Sequence, residues 1–131
     1  MIGIWIPADL GTYINGATMG EFDLAHIEQL LGGEAQAYYL PNVKTFYKNY
    51  AEVCFARKDG MALDLPMNFR ASTYVSSRSS TLAERDWIAG RALLLGYNFS
   101  RGEYVNVYEA REKVSAWKKR DRSLVETLTT T

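Results

Sequence analysis

Apolar residues recur at every second position at the start of the chain. Ile2, Ile4 and Ile6 would share one face of an extended strand, and Pro7, which has no backbone N–H, would end it. The dipeptide Asn15-Gly16 then lies between β-prone residues, and both of its members tolerate the positive φ angles of a tight turn. We therefore predict a first strand that ends at Pro7 and a short hairpin or ordered loop around Asn15-Gly16.

Helical spacing of apolar residues appears near both ends of the chain. Asp23 is a residue type that caps helix starts, and the apolar positions after it fall on one face: Leu24, Ile27, Leu30 and Leu31. Gly32-Gly33 would end this helix, because glycine accepts the left-handed conformation that follows many helices. A closing amphipathic helix is indicated by a second set at helical spacing: Val107, Ala110, Val114 and Trp117.

A central hairpin is the clearest feature of the pattern. Two apolar runs, Tyr50 to Arg57 and Met61 to Leu65, flank Asp59-Gly60, which is typical of a two-residue turn. Both faces of the predicted hairpin are mainly apolar, so we expect it in the middle of a sheet. Arg57 and Asp64 would then lie diagonally on one face, within reach of an ion pair.

The remaining segments read as strands and loops. We predict further strands over residues 35–40 and 87–97, the second with Gly90 as a bulge. Residues 43–49 and the polar, serine-rich residues 72–86 are predicted to be loops.

Chain length and composition indicate one globular domain. The chain has 131 residues, and 47% of them are apolar, so it can bury a sizeable core. We predict an α+β fold, a small mixed and mainly antiparallel sheet with two or three helices packed on it. This domain is expected over residues 1–123, with a frayed tail over residues 124–131.

The charge balance narrows the range of partners. Fifteen basic side chains balance fifteen acidic ones, whereas a duplex-DNA binder gains affinity from excess basic residues. Nucleic acid is therefore a disfavoured partner, and zero net charge makes a homo-oligomer easier to form. No apolar run approaches the ~20 residues of a membrane span, so no membrane partner is expected. With a single cysteine and no signal-peptide pattern, we expect a cytoplasmic protein.

The basic segment near the end of the chain has two interpretations. Lys118-Lys119-Arg120-Asp121-Arg122 would project in several directions around a helix, and acidic residues interrupt it. A solvated helix end, with its cations favourably placed near the C-terminus, accounts for this pattern. Association with nucleic acid through the same helix is the alternative.

Few residues point to catalysis. His26 would lie on the flank of the first helix, and Cys54 lies among apolar neighbours, where a thiol resists ionisation. Glu84-Arg85-Asp86 could bind a metal, but acidic loop residues are usually solvated, and a zinc site normally needs four Cys or His ligands. The chain has no glycine-rich phosphate loop and no GxSxG motif. We therefore predict no enzymatic activity, no metal site and no cofactor.

A polar pocket is predicted after the central hairpin. Asn68 and Arg70 directly follow Pro66, and they offer an amide and a planar fork suited to phosphate or carboxylate. Arg91 lies in the next apolar strand, where a charge needs a partner. If the strands are neighbours, these three side chains would line one ligand pocket with Tyr74 as its wall. Alternatively, Arg70 pairs with an acidic residue and Asn68 caps a turn, and this reading is slightly favoured.

Several motifs follow one another in a distinctive order: Leu31-Gly32-Gly33, Arg57-Lys58-Asp59-Gly60-Met61, Leu65-Pro66-Met67-Asn68-Phe69-Arg70-Ala71, Ile88 to Gly96 and Gly102-Glu103-Tyr104-Val105. This order resembles a family of small proteins of unknown function that is found mostly in phages, plasmids and mobile elements. The resemblance covers roughly residues 24–118, and its most specific piece is the Pro-x-Asn-x-Arg element. It implies an origin more than an activity.

Small phage proteins without a catalytic motif often act by binding, so the resemblance favours a non-enzymatic protein of counter-defence or host takeover. The leading hypothesis is that it sequesters a nucleotide signalling molecule at Asn68, Arg70, Tyr74 and Arg91. Two alternatives remain. The protein could inhibit a bacterial host or defence protein through an aromatic surface, or it could associate with nucleic acid through its C-terminal basic helix.

Overall fold

A computed structural model describes residues 2–12, 14–18, 23–40, 49–78, 82 and 86–129, with residues 15–18 and 122–129 described by their backbone only. Within these ranges the chain forms six strands and three helices. In chain order they are β1 (Ile2–Ile6), β2 (Asn15–Thr18), α1 (Leu24–Leu31), β3 (Ala35–Leu40), β4 (Tyr50–Arg57), α2 (Phe69–Ser76), β5 (Ala92–Asn98), β6 (Glu103–Val105) and α3 (Ala110–Thr129).

The described strands form one antiparallel sheet in the order β2-β1-β5-β4-β3. Strand β6 pairs with the second half of β5, on the same edge that β1 occupies along the first half. The predicted α+β fold with a mainly antiparallel sheet is therefore confirmed. The longest pairings are those of β4 with β3 and β5, so β4 lies inside the sheet with both edges bonded.

The two faces of the sheet each carry a buried cluster, because side chains alternate along a strand. On one face Cys54 and Ala56 of β4 and Leu94 of β5 pack beneath α2 and α3. On the other face Val53 and Phe55 pack beneath α1. Burial on both faces explains why β4 has a nearly continuous apolar sequence.

Helix α1 follows the sequence prediction. The Asp23 carboxylate accepts a hydrogen bond from the His26 backbone N–H at 2.8 Å, and Gly32 ends the helix with φ 83°. Ile27 and Leu31 are buried against the sheet, whereas Leu24 is 49% exposed. The cap and the glycine thus set both ends of the helix.

Helix α3 contributes the predicted apolar face. Trp117 and Val107, which lies just before the helix, are buried, and Ala110 and Val114 pack against the same cluster. The backbone continues as helix to Thr129, through most of the segment predicted to fray. None of the helices in the described part of the chain is long and apolar enough to span a membrane.

The predicted central hairpin is wrong in its second strand. Residues 58–64 form consecutive turns, in which Leu63 N–H donates to Asp59 C=O and Leu65 N–H to Gly60 C=O, both at 3.0 Å. The segment cannot pair with β4, because β3 and β5 already occupy both of its edges. Arg57 accordingly pairs with Asp59 at 3.0 Å rather than with Asp64.

Two further predictions change in the structure. Asn15 and Gly16 do not form a turn, because they lie in β2 opposite Trp5 and Ile4 of β1. The predicted loop over residues 72–86 begins instead as α2, whose start is capped by Asn68. Local composition favoured a turn and a loop, but pairing with β1 and burial against the sheet outweigh it.

The last predicted strand starts later than expected. Gly90 adopts φ 82° and donates to Pro66 C=O at 2.7 Å, so the chain bends before β5 begins at Ala92. Residues 86–89 lie outside the sheet, where Ala89 forms a bridge with Met67. The predicted loop over residues 43–49 lies, except for its last residue, outside the described residues, as do two members of Glu84-Arg85-Asp86.

Burial of the core makes stability sensitive to alkaline pH. Burial raises the pKa of the Cys54 thiol from 9.0 to about 12, and burial, followed by the hydroxyl of Tyr39, raises the pKa of Tyr104 from 10.0 to about 12. The unfolded chain loses these protons at a lower pH than the folded protein does. The free energy of unfolding should therefore be fully retained below about pH 9 and fall as the pH rises towards about 12. Urea unfolding at a series of pH values measures this loss.

The Cys54→Ala variant is the control, because it removes one of the two groups. Its unfolding free energy should decline less steeply over the same alkaline range, although its stability at neutral pH is lower. An equal decline in both proteins would contradict the role of the buried thiol.

Candidate functional site

Arg70 is buried and fully bonded within the protein. Only 4% of its surface is exposed, and its Nε donates to Asp121 Oδ1 at 3.1 Å. Its terminal nitrogens donate to four backbone carbonyls at 2.9–3.3 Å, those of Pro7, Asp9, Leu10 and Thr12. A guanidinium has five N–H donors, and all five are used here. The guanidinium therefore has no donor left for a ligand.

Asp121 completes this buried ion pair. Its Oδ2 lies 2.7 Å from Arg70 Nη2 but accepts no hydrogen bond from the described residues, because both N–H groups of that nitrogen already donate to Leu10 and Thr12. Charge attraction to the guanidinium therefore acts on this oxygen. The pair joins α2 to α3 and fixes the chain between β1 and β2.

Asn68 also has a structural role. It is fully buried, and its Oδ1 accepts from the Ala71 backbone N–H at 3.0 Å, which caps α2. Its Nδ2 donates to Ile6 C=O at 2.7 Å and to Gly90 C=O at 3.0 Å. The interpretation in which Arg70 pairs with an acidic residue is confirmed, and Asn68 acts as a cap, although it caps helix α2 rather than a turn.

The predicted four-residue pocket does not form. Ala92 is buried beneath α2 and α3, so Arg91 lies on the opposite side, where its guanidinium carbon is 4.6 Å from the Trp5 ring centroid. Tyr74 lies on α2 and packs against the buried cluster beneath α2 and α3. Asn68 and Arg70 are directed into the protein. The prediction of one pocket was wrong because residues 69–76 form a helix that turns Arg70 inward.

Tyr74 does line a different depression, which we call the α2–α3 groove. It has a volume of about 70 Å³, and its described walls are Tyr74, Arg78, Lys113, Ala116, Trp117 and Arg120. Tyr74 and Arg78 are one helical turn apart in sequence. The four α3 residues recur at helical spacing along the flank that faces α2, which brings Lys113 and Arg120 to the same groove.

A buried carboxylate lies beneath the groove. The Tyr74 hydroxyl donates to Glu52 Oε1, and Glu52 Oε2 is 3.3 Å from Lys113 Nζ. Burial and then the Glu52 carboxylate raise the pKa of Tyr74, so its hydroxyl stays protonated. The Arg78 guanidinium carbon lies 3.8 Å from the Tyr74 ring centroid, and the Trp117 ring packs 5.0 Å from it. Tyr74 is therefore a packed wall rather than an open stacking surface.

The α2–α3 groove concentrates positive charge in a protein whose formal net charge is zero. Three cations line it, and among the described residues only the Glu52 carboxylate pairs with any of them. Within the part of the chain that the structure describes, no carboxylate lies within 4.0 Å of Arg78 or Arg120. Cationic N–H groups with spare donors bind anions through charge-assisted hydrogen bonds. The groove can therefore hold an anionic group.

Sequence reasoning missed these residues for a definite reason. Arg78 falls in the segment predicted to be a loop. In a loop, its spacing of four residues from Tyr74 does not indicate that the two side chains lie on one face. Arg120 was interpreted as part of a basic segment that projects in several directions. Lys113 and Arg120 are seven residues apart, and this separation, which places both on one helix flank, was the available signal.

The described residues contain no group of three or more His, Cys, Asp or Glu side chains that could hold a metal ion. Comparisons with protein-family models, curated proteins and solved structures found no match to this chain. The resemblance to a phage and plasmid family thus remains a prediction.

Because Arg70 is buried, we expect even the conservative substitution Arg70→Lys to lower the free energy of unfolding strongly. In Arg70→Lys an ammonium with three donors replaces five, so at least two buried acceptors lose their partner, and each costs about 1–3 kcal/mol. We expect the free energy of unfolding in urea to fall by at least ~2 kcal/mol. Arg111→Lys is the matched control at an exposed site of α3 and should change it by less than about 0.5 kcal/mol. Equal effects would contradict the structural role.

The amide of Asn68 can be tested separately. Asn68→Asp keeps the oxygen that caps α2 but removes both donors to Ile6 and Gly90, so we expect a loss of at least ~2 kcal/mol in the same measurement. Asn98→Asp is the matched control, since the Asn98 side chain only accepts, from Ser100 and Arg101 backbone N–H groups. Its effect should stay within about 1 kcal/mol. A mild Asn68→Asp effect would mean that the two donated bonds contribute little.

Proposed function

We propose that this protein is a non-enzymatic binding protein that captures a phosphate-bearing ligand, of which a nucleotide signalling molecule is the leading case, in the α2–α3 groove. The observation that supports the proposal is the presence of Arg78 and Arg120 beside one groove without a carboxylate partner among the described residues. A guanidinium binds phosphate oxygens in a planar, two-bond geometry. The site thus differs from the one predicted, but it retains Tyr74 and the expected chemistry.

The size of the groove limits what it can enclose. Its volume of about 70 Å³ is well below the about 300–1,000 Å³ of pockets that surround a whole small-molecule ligand. We infer that the groove holds one charged group, and that the rest of the ligand lies across the surface between α2 and α3. Affinity would then depend strongly on salt.

Glu52 and Lys113 favour an anion over a neutral ligand. Lys113 is 23% exposed and directs its ammonium to the buried Glu52 carboxylate, which neutralises that acid and leaves the two arginines to act on the ligand. Protonated Tyr74 occupies the other oxygen of Glu52. The carboxylate therefore does not repel an incoming phosphate as a free acid would.

A biological role follows if the resemblance to phage and plasmid proteins holds. Capture of a nucleotide signal would lower its concentration in the host cytoplasm and so prevent activation of a defence system. Such a role needs tight binding and no chemical step. It is consistent with the prediction that the protein is not an enzyme.

The groove arginines provide the test. Arg78→Ala and Arg120→Ala should each weaken binding of a cyclic dinucleotide or ADP-ribose by about 10-fold or more, because each removes a charge-assisted contact of about 1.5–3 kcal/mol. Both side chains are exposed, so Arg120→Ala should unfold near the wild-type temperature without ligand, whereas Arg78→Ala should unfold at a somewhat lower temperature because it also loses the contact with the Tyr74 ring. A thermal-shift screen followed by titration calorimetry measures the effect. Inorganic phosphate serves as a competitor.

Arg111→Ala is the matched control. Arg111 is an exposed arginine of the same helix, but the helical wheel places it on the side away from the groove. Its removal should leave binding within about 2-fold of wild type, a change of less than about 0.5 kcal/mol. Binding of single-stranded oligonucleotides that weakens equally in all three variants would instead favour nucleic-acid association through α3. The absence of binding by any phosphate-bearing ligand would contradict the proposal.

A second candidate function is binding to a bacterial host or defence protein. Trp87 is 40% exposed, and four other large apolar side chains with 39–51% of their surface exposed lie within residues 61–69: Met61, Leu63, Met67 and Phe69. Exposed apolar groups of this kind are typical of protein contact surfaces. If the correctly folded protein binds no phosphate-bearing ligand, this second function is favoured.

A further inference from the structure

A second cavity lies over the β3–β4 end of the sheet, on the face that also carries α2. Its volume is about 210 Å³, three times that of the α2–α3 groove. Gln36 and Tyr38 of β3 and Ala56 of β4 form its floor, since they lie on the same face of the paired strands. Other described residues of its wall are Arg57, Lys58, Met61, Asp86, Trp87, Ile88 and Ala89.

Two polar groups in this cavity have no partner among the described residues. No hydrogen bond or ion pair within the described residues engages the Tyr38 hydroxyl or the Asp86 carboxylate. Burial, and then electrostatic interactions with Cys54 and Asp86, raise the pKa of Tyr38, so its hydroxyl remains protonated. Tyr38 and Asp86 both line this cavity. A donor and a charged acceptor thus face the same space.

A cation stands at the rim of the cavity. Lys58 pairs with Glu34 at 3.6 Å, but their side chains are 59% and 70% exposed, so the pair is weak and can exchange for a ligand. The Arg57 guanidinium is not equally available, because it makes two bonds to Asp59 at 3.0 and 3.1 Å. The cavity therefore offers one carboxylate, one hydroxyl and one exchangeable ammonium.

Apolar side chains occupy the mouth of the same cavity. Met61 is 39% exposed and Trp87 is 40% exposed, whereas Ile88 and Ala89 are buried in its wall. These side chains can cover a short aliphatic group. The adaptable thioether of Met61 suits groups of different shape.

We infer that this cavity binds a free amino acid with an apolar side chain of medium size. The α-ammonium of such a ligand donates to the Asp86 carboxylate, and its α-carboxylate accepts from Lys58 and from the Tyr38 hydroxyl. The side chain lies against Trp87 and Met61. The site is separate from the α2–α3 groove in both residues and chemistry, so it does not depend on the proposed function.

L-leucine and two compounds that each lack one of its charges test the proposal. Isoamylamine has no carboxylate, and 4-methylpentanoate has no ammonium. Titration calorimetry of the full chain should show binding of L-leucine, and each of the other compounds should bind at least ~10-fold more weakly, because each loses a charge-assisted contact. Isoamylamine that binds as tightly as leucine would overturn the assignment of a zwitterionic ligand.

Two variants locate the site. Asp86→Asn should weaken leucine binding by at least ~10-fold, and Tyr38→Phe by about 3-fold or more, since a neutral hydrogen bond contributes less than a charged one. Glu103→Gln is the control, because Glu103 is an exposed acid at the far end of the sheet whose partner is Arg101. Binding that is unchanged in Asp86→Asn would overturn the proposal.

A wider screen and the groove variants complete the design. Failure of L-leucine and of the other nineteen standard L-amino acids to bind would overturn the inference. Arg120→Ala should leave leucine binding unchanged, and inorganic phosphate should not compete with leucine. The two sites can therefore fail independently.

Discussion

The buried guanidinium of Arg70 is the constraint on which the rest of the structure depends. Its donors bind four carbonyls of the connection between β1 and β2 together with the Asp121 carboxylate, so a single side chain fixes an irregular segment and two helices. A buried charge is tolerated only when all of its hydrogen-bonding groups are satisfied. The connection must therefore keep its carbonyls turned inward, and α3 must keep Asp121 at the end of its apolar face. The α2–α3 groove exists because this pair holds the two helices at a fixed separation.

Much of the fold could be predicted from local sequence. The alternation that includes Ile4 and Ile6 and the stripe that includes Trp117 both report burial, because each pattern has the period of its element, although Ile2 is 40% exposed. The cap at Asp23 marks the start of a helix. The prediction of a strand over residues 61–65 was wrong. Their apolar character is compatible with a strand, but a strand forms only where a neighbouring strand has a free edge. Both edges of β4 are occupied, and Met61 and Leu63 remain exposed in turns. No local pattern records which strand edges are free.

The candidate site was less predictable than the fold. The chemistry of Asn68 and Arg70 was recognised correctly, but the same donors that suit a ligand also suit backbone carbonyls, and sequence cannot distinguish the two uses. The distinction depends on contacts with Ile6, Leu10 and Asp121, which are distant in sequence. Conversely, Arg78 and Arg120 become neighbours only when α2 and α3 pack together. The residues of the candidate site therefore could not be predicted from local patterns, because they are brought together by contacts between distant parts of the sequence.

The Arg70 contacts also determine when the protein can fold. They join residues near position 10, residue 70 and residue 121. In addition, β1 pairs not only with its neighbour in sequence, β2, but also with the distant β5. During synthesis, an emerging chain that lacks Asp121 would have to bury Arg70 without its counterion, which is strongly unfavourable. The native core consequently forms only after Asp121 has left the ribosome, and such non-local topologies fold slowly. Truncated chains that end before α3 should then be substrates for proteolysis rather than stable intermediates.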